Sequence, residues 1–165
     1  MAPSALPAEA VRGLPRLRLR VEPVVPSLVR GLVAMAAHPG SLSDDTIDLV
    51  TALNKRRRAA TEWLRAILDG AVDAATLRNV AEVWLPALIG GSREAVRARA
   101  ATCIEYVRGS MTGLVMARPE DNLVPEARTL FAIDSILAQH LGAVVGSGTR
   151  SSTATPSRPS AKVPV

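Results

Sequence analysis

Few residues of this 165-residue chain have the type and spacing that catalysis requires. Residues 109–113 read Gly-Ser-Met-Thr-Gly, which has the outline of a nucleophile turn, but Met111 stands where the serine belongs. Gly109 and Gly113 are four residues apart within a predicted helix, so we interpret them as positions where two helices pack closely. The segment therefore predicts helix packing and not a serine nucleophile.

Cys103 falls in the apolar stripe of a predicted helix. A redox role would require exposure and a nearby cation, which Arg99 could supply. A buried cysteine behaves instead as a small hydrophobe, and we favour that interpretation. Because the chain has one cysteine, an intrachain disulfide is excluded.

Two carboxylates and two histidines complete the set of candidate groups. Asp44 and Asp48 could share acid–base work or a metal ion, but acidic side chains in a first helical turn more often stabilise the helix end. His38 precedes Pro-Gly in a predicted loop. His140 lies in the last turns of a predicted helix, where a cation suits the helix dipole. A haem site would need an axial histidine facing a large pocket, and His140 is the candidate for that position.

The sequence contains no Walker phosphate loop, no glycine-rich dinucleotide fingerprint and no zinc-type cysteine pairs. Two histidines and one cysteine also supply few ligands for a zinc site. We therefore expect no catalytic residue, no cofactor and no metal site.

The net charge of +5 is concentrated at the two ends of the chain. Residues 1–37 hold five Arg and two Glu, residues 143–165 hold three basic and no acidic side chains, and residues 38–142 carry a net charge of −1. Basic ends fit loose attraction to RNA, DNA, acidic lipid or an acidic protein. They fit equally a coding bias toward Arg that needs no partner. Four aromatic residues in all disfavour a base-stacking nucleic-acid platform.

No apolar run approaches the roughly 20 residues that span a bilayer. Residues 28–37 imitate the apolar core of a signal peptide, but Arg30 and Gly31 interrupt that core and the segment before it is too long. We expect a cytoplasmic protein without a membrane span.

Residues 1–26 contain five prolines, a density that disfavours a long helix. Within them, residues 16–21 alternate Arg with Leu or Val, which is the period of a strand. We therefore interpret residues 1–26 as an extended Pro/Arg-rich segment. Its strand would be irregular or would pair with another chain.

Helical periodicity dominates the rest of the chain and predicts an all-α protein: an antiparallel bundle of four main helices plus a shorter N-terminal helix, over residues 27–145. The short helix covers residues 27–37. The main helices begin at four capping or proline positions: Ser43, Asp73, Ser92 and Pro125. Pro86 should kink the last turn of the helix that begins at Asp73, and Gly146 should end the last helix. Residues 146–165 are predicted to be a disordered basic tail.

The densest group of basic residues lies in the middle of the helix that follows Ser43. This group requires either an exposed helical segment or a break in the helix. A basic face could contact phosphates or an acidic partner, although a merely solvated face is the more ordinary interpretation. Together with the alternating segment it supplies our predicted partner-binding residues: Arg16, Arg18, Arg20, Lys55, Arg56, Arg57 and Arg58.

Three segments carry a resemblance to a known family. They are residues 61–65 (Thr-Glu-Trp-Leu-Arg), residues 106–108 (Tyr-Val-Arg) and residues 131–137 (Phe-Ala-Ile-Asp-Ser-Ile-Leu). Their order and spacing resemble the helical N-terminal sensory domains of RsbR-type stress-regulator (stressosome) proteins. The resemblance implies a helical domain that does not catalyse a reaction and that passes signals to partner proteins.

The sequence as a whole predicts a non-enzymatic regulatory or scaffold protein that acts through contacts with another protein or with a second copy of itself. The second hypothesis is a nucleic-acid-associated protein held by its basic ends, with salt-sensitive binding. The third is a ligand sensor or enzyme whose site is assembled from residues distant in sequence, with Trp63 and Tyr106 as possible pocket residues.

Overall fold

A computed structural model describes residues 5–37, 46–117 and 124–146. These residues form helices joined by short connections and contain no strand, which confirms the predicted all-α class. Eight α-helices follow one another along this part of the chain: α1 (Ala8–Val11), α2 (Leu14–Val21), α3 (Val25–Ala36), α4 (Thr46–Leu68), α5 (Ala74–Asn79), α6 (Leu85–Ile89), α7 (Arg93–Met116) and α8 (Val124–Gly146). A 3₁₀ turn, Glu22–Val24, joins α2 to α3, and a π-helical turn, Val80–Trp84, joins α5 to α6.

Several predicted helix boundaries are confirmed. The Asp73 side chain accepts a hydrogen bond from the Thr76 N–H at the start of α5, and the Ser92 side chain accepts one from the Ala95 N–H at the start of α7. These caps satisfy backbone donors that a helix leaves free at its N-terminus. Ser43 and the tail after Gly146 lie outside the described residues.

Pro86 is preceded by the π-helical turn that links α5 to α6. A proline ring clashes with the carbonyl four residues earlier, and proline has no N–H to donate. The wider turn changes the helical register just before Pro86 and accommodates both effects. The predicted irregularity is therefore present, but it precedes Pro86 as a widened turn.

The predicted extended conformation of residues 16–21 is wrong, since they belong to α2. The alternating pattern hides a second, helical spacing, in which Leu14, Leu17 and Val21 are all buried. Leu19, which the strand pattern groups with Leu17 and Val21, is 77% exposed.

The prolines of this region do not prevent the helices either. Pro15, Pro23 and Pro26 each stand in the first two positions of their own short helix or turn. A backbone N–H at these positions has no partner within the helix, so proline is tolerated there. The proline density thus divides the N-terminal region into short helices, and α2 shares one core with the later helices.

The core lies where α7 and α8 pack along each other and where α3, α4 and α6 close over them. The predicted apolar stripe of α7 is confirmed, with Ala100, Cys103, Ile104 and Met111 at most 1% exposed. Trp63 from α4 is fully buried in the same core. One contiguous cluster of apolar side chains therefore joins the N-terminal helices to the long ones.

The glycines that pack closely are not the predicted ones. Gly109 and Gly113 have no atom within 4 Å of the place where a Cβ would stand, so the predicted close packing at these positions is wrong. Both lie on the exposed face of α7. A Cβ on Gly13 would instead overlap Thr129 Oγ1 on α8, and a Cβ on Gly31 would overlap the Tyr106 hydroxyl on α7.

Among the described helices, α8 is long and apolar enough to cross a membrane by length and composition. Its most buried positions include Ile133, Ile136, Leu137 and His140, which face the other helices. A core helix of this kind passes the same length and composition test. This property of α8 is therefore weak evidence for a membrane span.

Substitution of the two kinds of glycine should have opposite effects on stability. Gly13→Ala should lower the free energy of unfolding by about 1–3 kcal/mol, because the added Cβ must displace Thr129 and with it the contact between α2 and α8. Gly109→Ala should raise it by about 0.4–1 kcal/mol, since alanine restricts the unfolded chain and meets no neighbour in the folded one. Urea-induced unfolding of both variants measures the two changes, and a Gly13→Ala protein as stable as the wild type would disprove the close contact.

Candidate functional site

The arginines of α2 are not equivalent: Arg16 and Arg20, four residues apart, share one side of the helix, whereas Arg18 lies on another. Arg18 Nη1 donates to Asp69 Oδ1 at 2.7 Å, and both side chains are half exposed. Arg20 Nη1 reaches the Val115 carbonyl oxygen at 3.4 Å. Such exposed ion pairs contribute little to stability, typically less than about 1 kcal/mol. The Arg18–Asp69 pair therefore costs little to open, whereas Arg20 is partly buried against α7.

Arg56 does not belong to the exposed basic face in which the sequence analysis placed it. The α4 helix continues unbroken through the basic cluster, and Arg56 is turned inward at 4% exposure. Its Nη1 donates to the carbonyl oxygens of Leu88 and Ile89, at 3.0 and 3.4 Å. These carbonyls end α6 and lack partners within that helix, so a cation there also suits the helix dipole.

Lys55, Arg57 and Arg58 point outward from α4 and are exposed. Successive residues of a helix point in directions about 100° apart. Four consecutive cations therefore cannot share one face, and Arg56 faces the core while the other three face solvent. They form a small basic face that is separate in sequence from the arginines of α2.

A cavity of about 260 Å³ lies between α2, the first turns of α8 and the end of α7. Four arginines line it, and two of them, Arg12 and Arg128, were not singled out from the sequence: Arg12, Arg16, Arg20 and Arg128. Two carboxylates, Glu9 and Glu126, lie among them. Leu17, Val115 and Pro125 supply apolar walls. We refer to this feature as the arginine cavity.

An apolar groove of about 370 Å³ adjoins the arginine cavity, with which it shares Glu9 and Arg128. It lies between α1 and α8, and its other lining residues are small or apolar: Pro7, Ala10, Val124, Ala127 and Phe131. Phe131 is 61% exposed and Val124 is 52% exposed. We refer to this feature as the Phe131 groove. The sequence analysis placed Phe131 only within a family resemblance and did not mark it as a contact residue.

His140 is buried, and both of its ring nitrogens have partners. Trp63 Nε1 donates to Nδ1 at 3.1 Å, and Nε2 lies 2.9 Å from the Ala71 carbonyl oxygen. This arrangement requires the neutral tautomer with its proton on Nε2. Burial lowers the pKa of His140, although the hydrogen bond to Ala71 acts in the opposite direction. His140 is thus a neutral bridge between α8, α4 and the turn after α4, and the predicted helix-dipole cation is wrong.

Cys103 is fully buried on α7. Burial raises the pKa of its thiol to about 11, and the charge of Arg99 counters this effect only in part. The thiol therefore stays protonated at neutral pH, as expected of a cysteine that fills space in the core.

The remaining sequence candidates contribute less. Asp48 is exposed, whereas Asp44 and His38 lie outside the described residues. Within the part of the chain that the structure describes, no three His, Cys, Asp or Glu side chains group as metal ligands would. Tyr106 packs over Gly31, and Trp63 lies in the core.

Two of the segments that carry the family resemblance meet on the surface. Arg108 Nε donates to Asp134 Oδ1 at 2.8 Å, and Arg108 also pairs with Glu105 one turn earlier on α7. This exposed network ties α7 to α8.

Comparison of the chain with protein-family models, with curated proteins and with solved structures finds no match.

Acidification should destabilise the protein through His140. Because its pKa is lower in the folded chain, the unfolded chain takes up a proton first as the pH falls below about 6.5. The free energy of unfolding should therefore decrease below that pH, by at most about 1.4 kcal/mol per pH unit, and should level off below the folded pKa.

Urea unfolding of the wild type and of His140→Gln, between about pH 7.5 and about pH 5.5, measures this effect. The variant should lose most of the slope. His38→Gln removes the other histidine and reports how much that residue supplies. Equal slopes for wild type and His140→Gln would show that His140 titrates alike in both states.

Replacement of Arg56 should destabilise the protein far more than replacement of its neighbour. Arg56→Met keeps the aliphatic stem but removes the donors to Leu88 and Ile89, and we expect a loss of about 2–3 kcal/mol in the free energy of unfolding. Arg57→Met alters an exposed side chain and should change it by less than about 0.5 kcal/mol. Equal effects in chemical denaturation would contradict the buried role of Arg56.

Proposed function

We propose that this protein is a non-enzymatic regulatory or scaffold protein that binds an acidic segment of another protein across the Phe131 groove and the arginines beside it. The helices that carry this surface are arranged, in this proposal, as an antiparallel bundle of four main helices with shorter N-terminal helices packed on it. The resemblance to RsbR-type sensory domains agrees with such a role.

The exposure of Phe131 carries the proposal. A phenylalanine buries a large apolar area when it packs, so leaving it 61% exposed beside exposed Val124 costs solvation free energy in the isolated chain. Aromatic residues and arginine are both enriched at protein interfaces relative to the rest of the surface. A partner that covers Phe131 would recover this free energy.

The charge beside the groove favours an acidic partner. Residues 5–24 hold four Arg and two Glu, and Arg128 adds a further positive charge from α8. Acidic side chains of a partner could pair with these guanidinium groups while an apolar side chain enters the groove. A second copy of the chain would bring another net charge of +5, which opposes self-association.

The test isolates the complexes that three tagged proteins form in the protein's own cells, after nuclease treatment. They are the wild type, Phe131→Ser and the matched control Val83→Ser, which changes an exposed valine (50%) on the π-helical turn. We expect one stoichiometric partner whose affinity falls at least about tenfold in Phe131→Ser and is unchanged in Val83→Ser. Arg128→Glu should also weaken binding of the partner, and should do so more at low salt than at high salt.

Each other outcome would overturn the proposal. A partner held equally by Phe131→Ser places the contact elsewhere on the protein. Loss of all partners after nuclease treatment supports a nucleic-acid-associated protein, whose binding should fall steeply with salt. A dimer that Phe131→Ser dissociates, measured by sedimentation, makes a second copy the occupant of the groove.

A further inference from the structure

The arginine cavity gathers four guanidinium groups from two separate parts of the chain. Arg12, Arg16 and Arg20 are spaced four residues apart, so they recur on one side of the chain at the period of α2. Arg128 completes the set from α8, across the cavity. Like charges gathered around one opening repel one another, and an anion between them relieves that repulsion.

Among the described lining residues, four guanidinium groups outnumber two carboxylates. Glu9 Oε2 lies 3.8 Å from Arg128 Nη2, which is a loose ion pair. The lining side chains that the structure describes sum to a net charge of +2. Where apolar side chains exclude water from part of the cavity, the attraction between an anion and these guanidinium groups is stronger.

One carboxylate oxygen of Glu126 lacks a hydrogen-bond donor among the described residues. Its side chain lines the cavity, yet the residue is only 6% exposed, and Oε2 receives no hydrogen bond from any described residue. A buried carboxylate oxygen without a donor is costly. A ligand for this cavity therefore needs negative charge for the arginines and, on the same group, one O–H or N–H for Glu126.

We propose that the arginine cavity binds a phosphate group that retains a proton, with its charged oxygens toward the arginines and its P–OH donating to Glu126 Oε2. Arginine presents planar pairs of donors that match phosphate oxygens. A phosphate group is partly protonated near neutral pH, whereas sulfate, similar in shape and charge, carries no proton there. The Glu126 carboxylate thus gives the cavity a means of choosing phosphate over sulfate.

The dimensions and position of the cavity agree with this ligand. A water molecule takes up about 30 Å³ of liquid, so about 260 Å³ admits one phosphate group with several waters or a small phosphate ester. Gly13 and Thr129 line it where α2 meets α8, and the nearby first turn of α8 presents the positive end of a long helix. The cavity shares Glu9 and Arg128 with the Phe131 groove, but Phe131 itself does not line it.

Calorimetric titration of the full chain with sodium phosphate and with sodium sulfate, at equal ionic strength near neutral pH, tests the proposal. Phosphate should bind at least about tenfold more tightly than sulfate. Arg12→Met, at an exposed position of the cavity, should weaken phosphate binding severalfold, while the matched control Arg58→Met on the outer face of α4 should not. Glu126→Gln should reduce the preference for phosphate over sulfate.

Equal binding of phosphate and sulfate, equal losses in Arg12→Met and Arg58→Met, or no binding of either ion would overturn the proposal. Because Arg12 is exposed, its variant remains informative if Glu126→Gln fails to fold. Titration with glycerol 3-phosphate distinguishes the two sources of the group: tighter binding than inorganic phosphate indicates a phosphate ester, and weaker binding indicates the free ion. Phe131→Ser should leave phosphate binding unchanged, which separates this test from that of the protein partner.

Discussion

The contact between the N-terminal helices and α8 is the constraint on which both surface features depend. Gly13 lies so close to Thr129 that no side chain fits between them, and Leu14, Leu17 and Val21 fix α2 against the core. Packed side chains of this kind transmit displacement, because protein interiors leave little free space. The arginine cavity is formed where α2 meets α8, and the Phe131 groove where α1 meets α8, so a shift of the N-terminal helices against α8 would change both.

The polar groups buried elsewhere hold the long helices in register. Arg56 supplies donors to the end of α6, and His140 joins Trp63 on α4 to the Ala71 carbonyl after it. A buried polar group is tolerated only when its hydrogen bonds are made, so these contacts allow few alternative packings. Glu126 differs, because its Oε2 has no donor among the described residues, and this difference makes the cavity a candidate ligand site.

Basic residues consequently have three roles in one small protein. Arg56 is structural, Arg18 and Arg108 join helices at the surface, and Arg12 and Arg128 line a cavity. Burial and partners separate these roles, since a desolvated guanidinium needs acceptors whereas an exposed one can remain solvated. Net charge alone, which invites a nucleic-acid interpretation, does not distinguish them.

Local signals in the sequence determined the helical class and many helix boundaries. Asp73 and Ser92 act as caps within their own first turns, and the stripe on α7 repeats at the helical period. The sequence could not decide between strand and helix for residues 16–21, since Leu17 and Val21 fit both periods. Burial of Leu14 beside them decided it. The cavity, the groove and the inward turn of Arg56 join residues from separate helices, and only tertiary packing brings such residues together, because local spacing carries no information about distant neighbours.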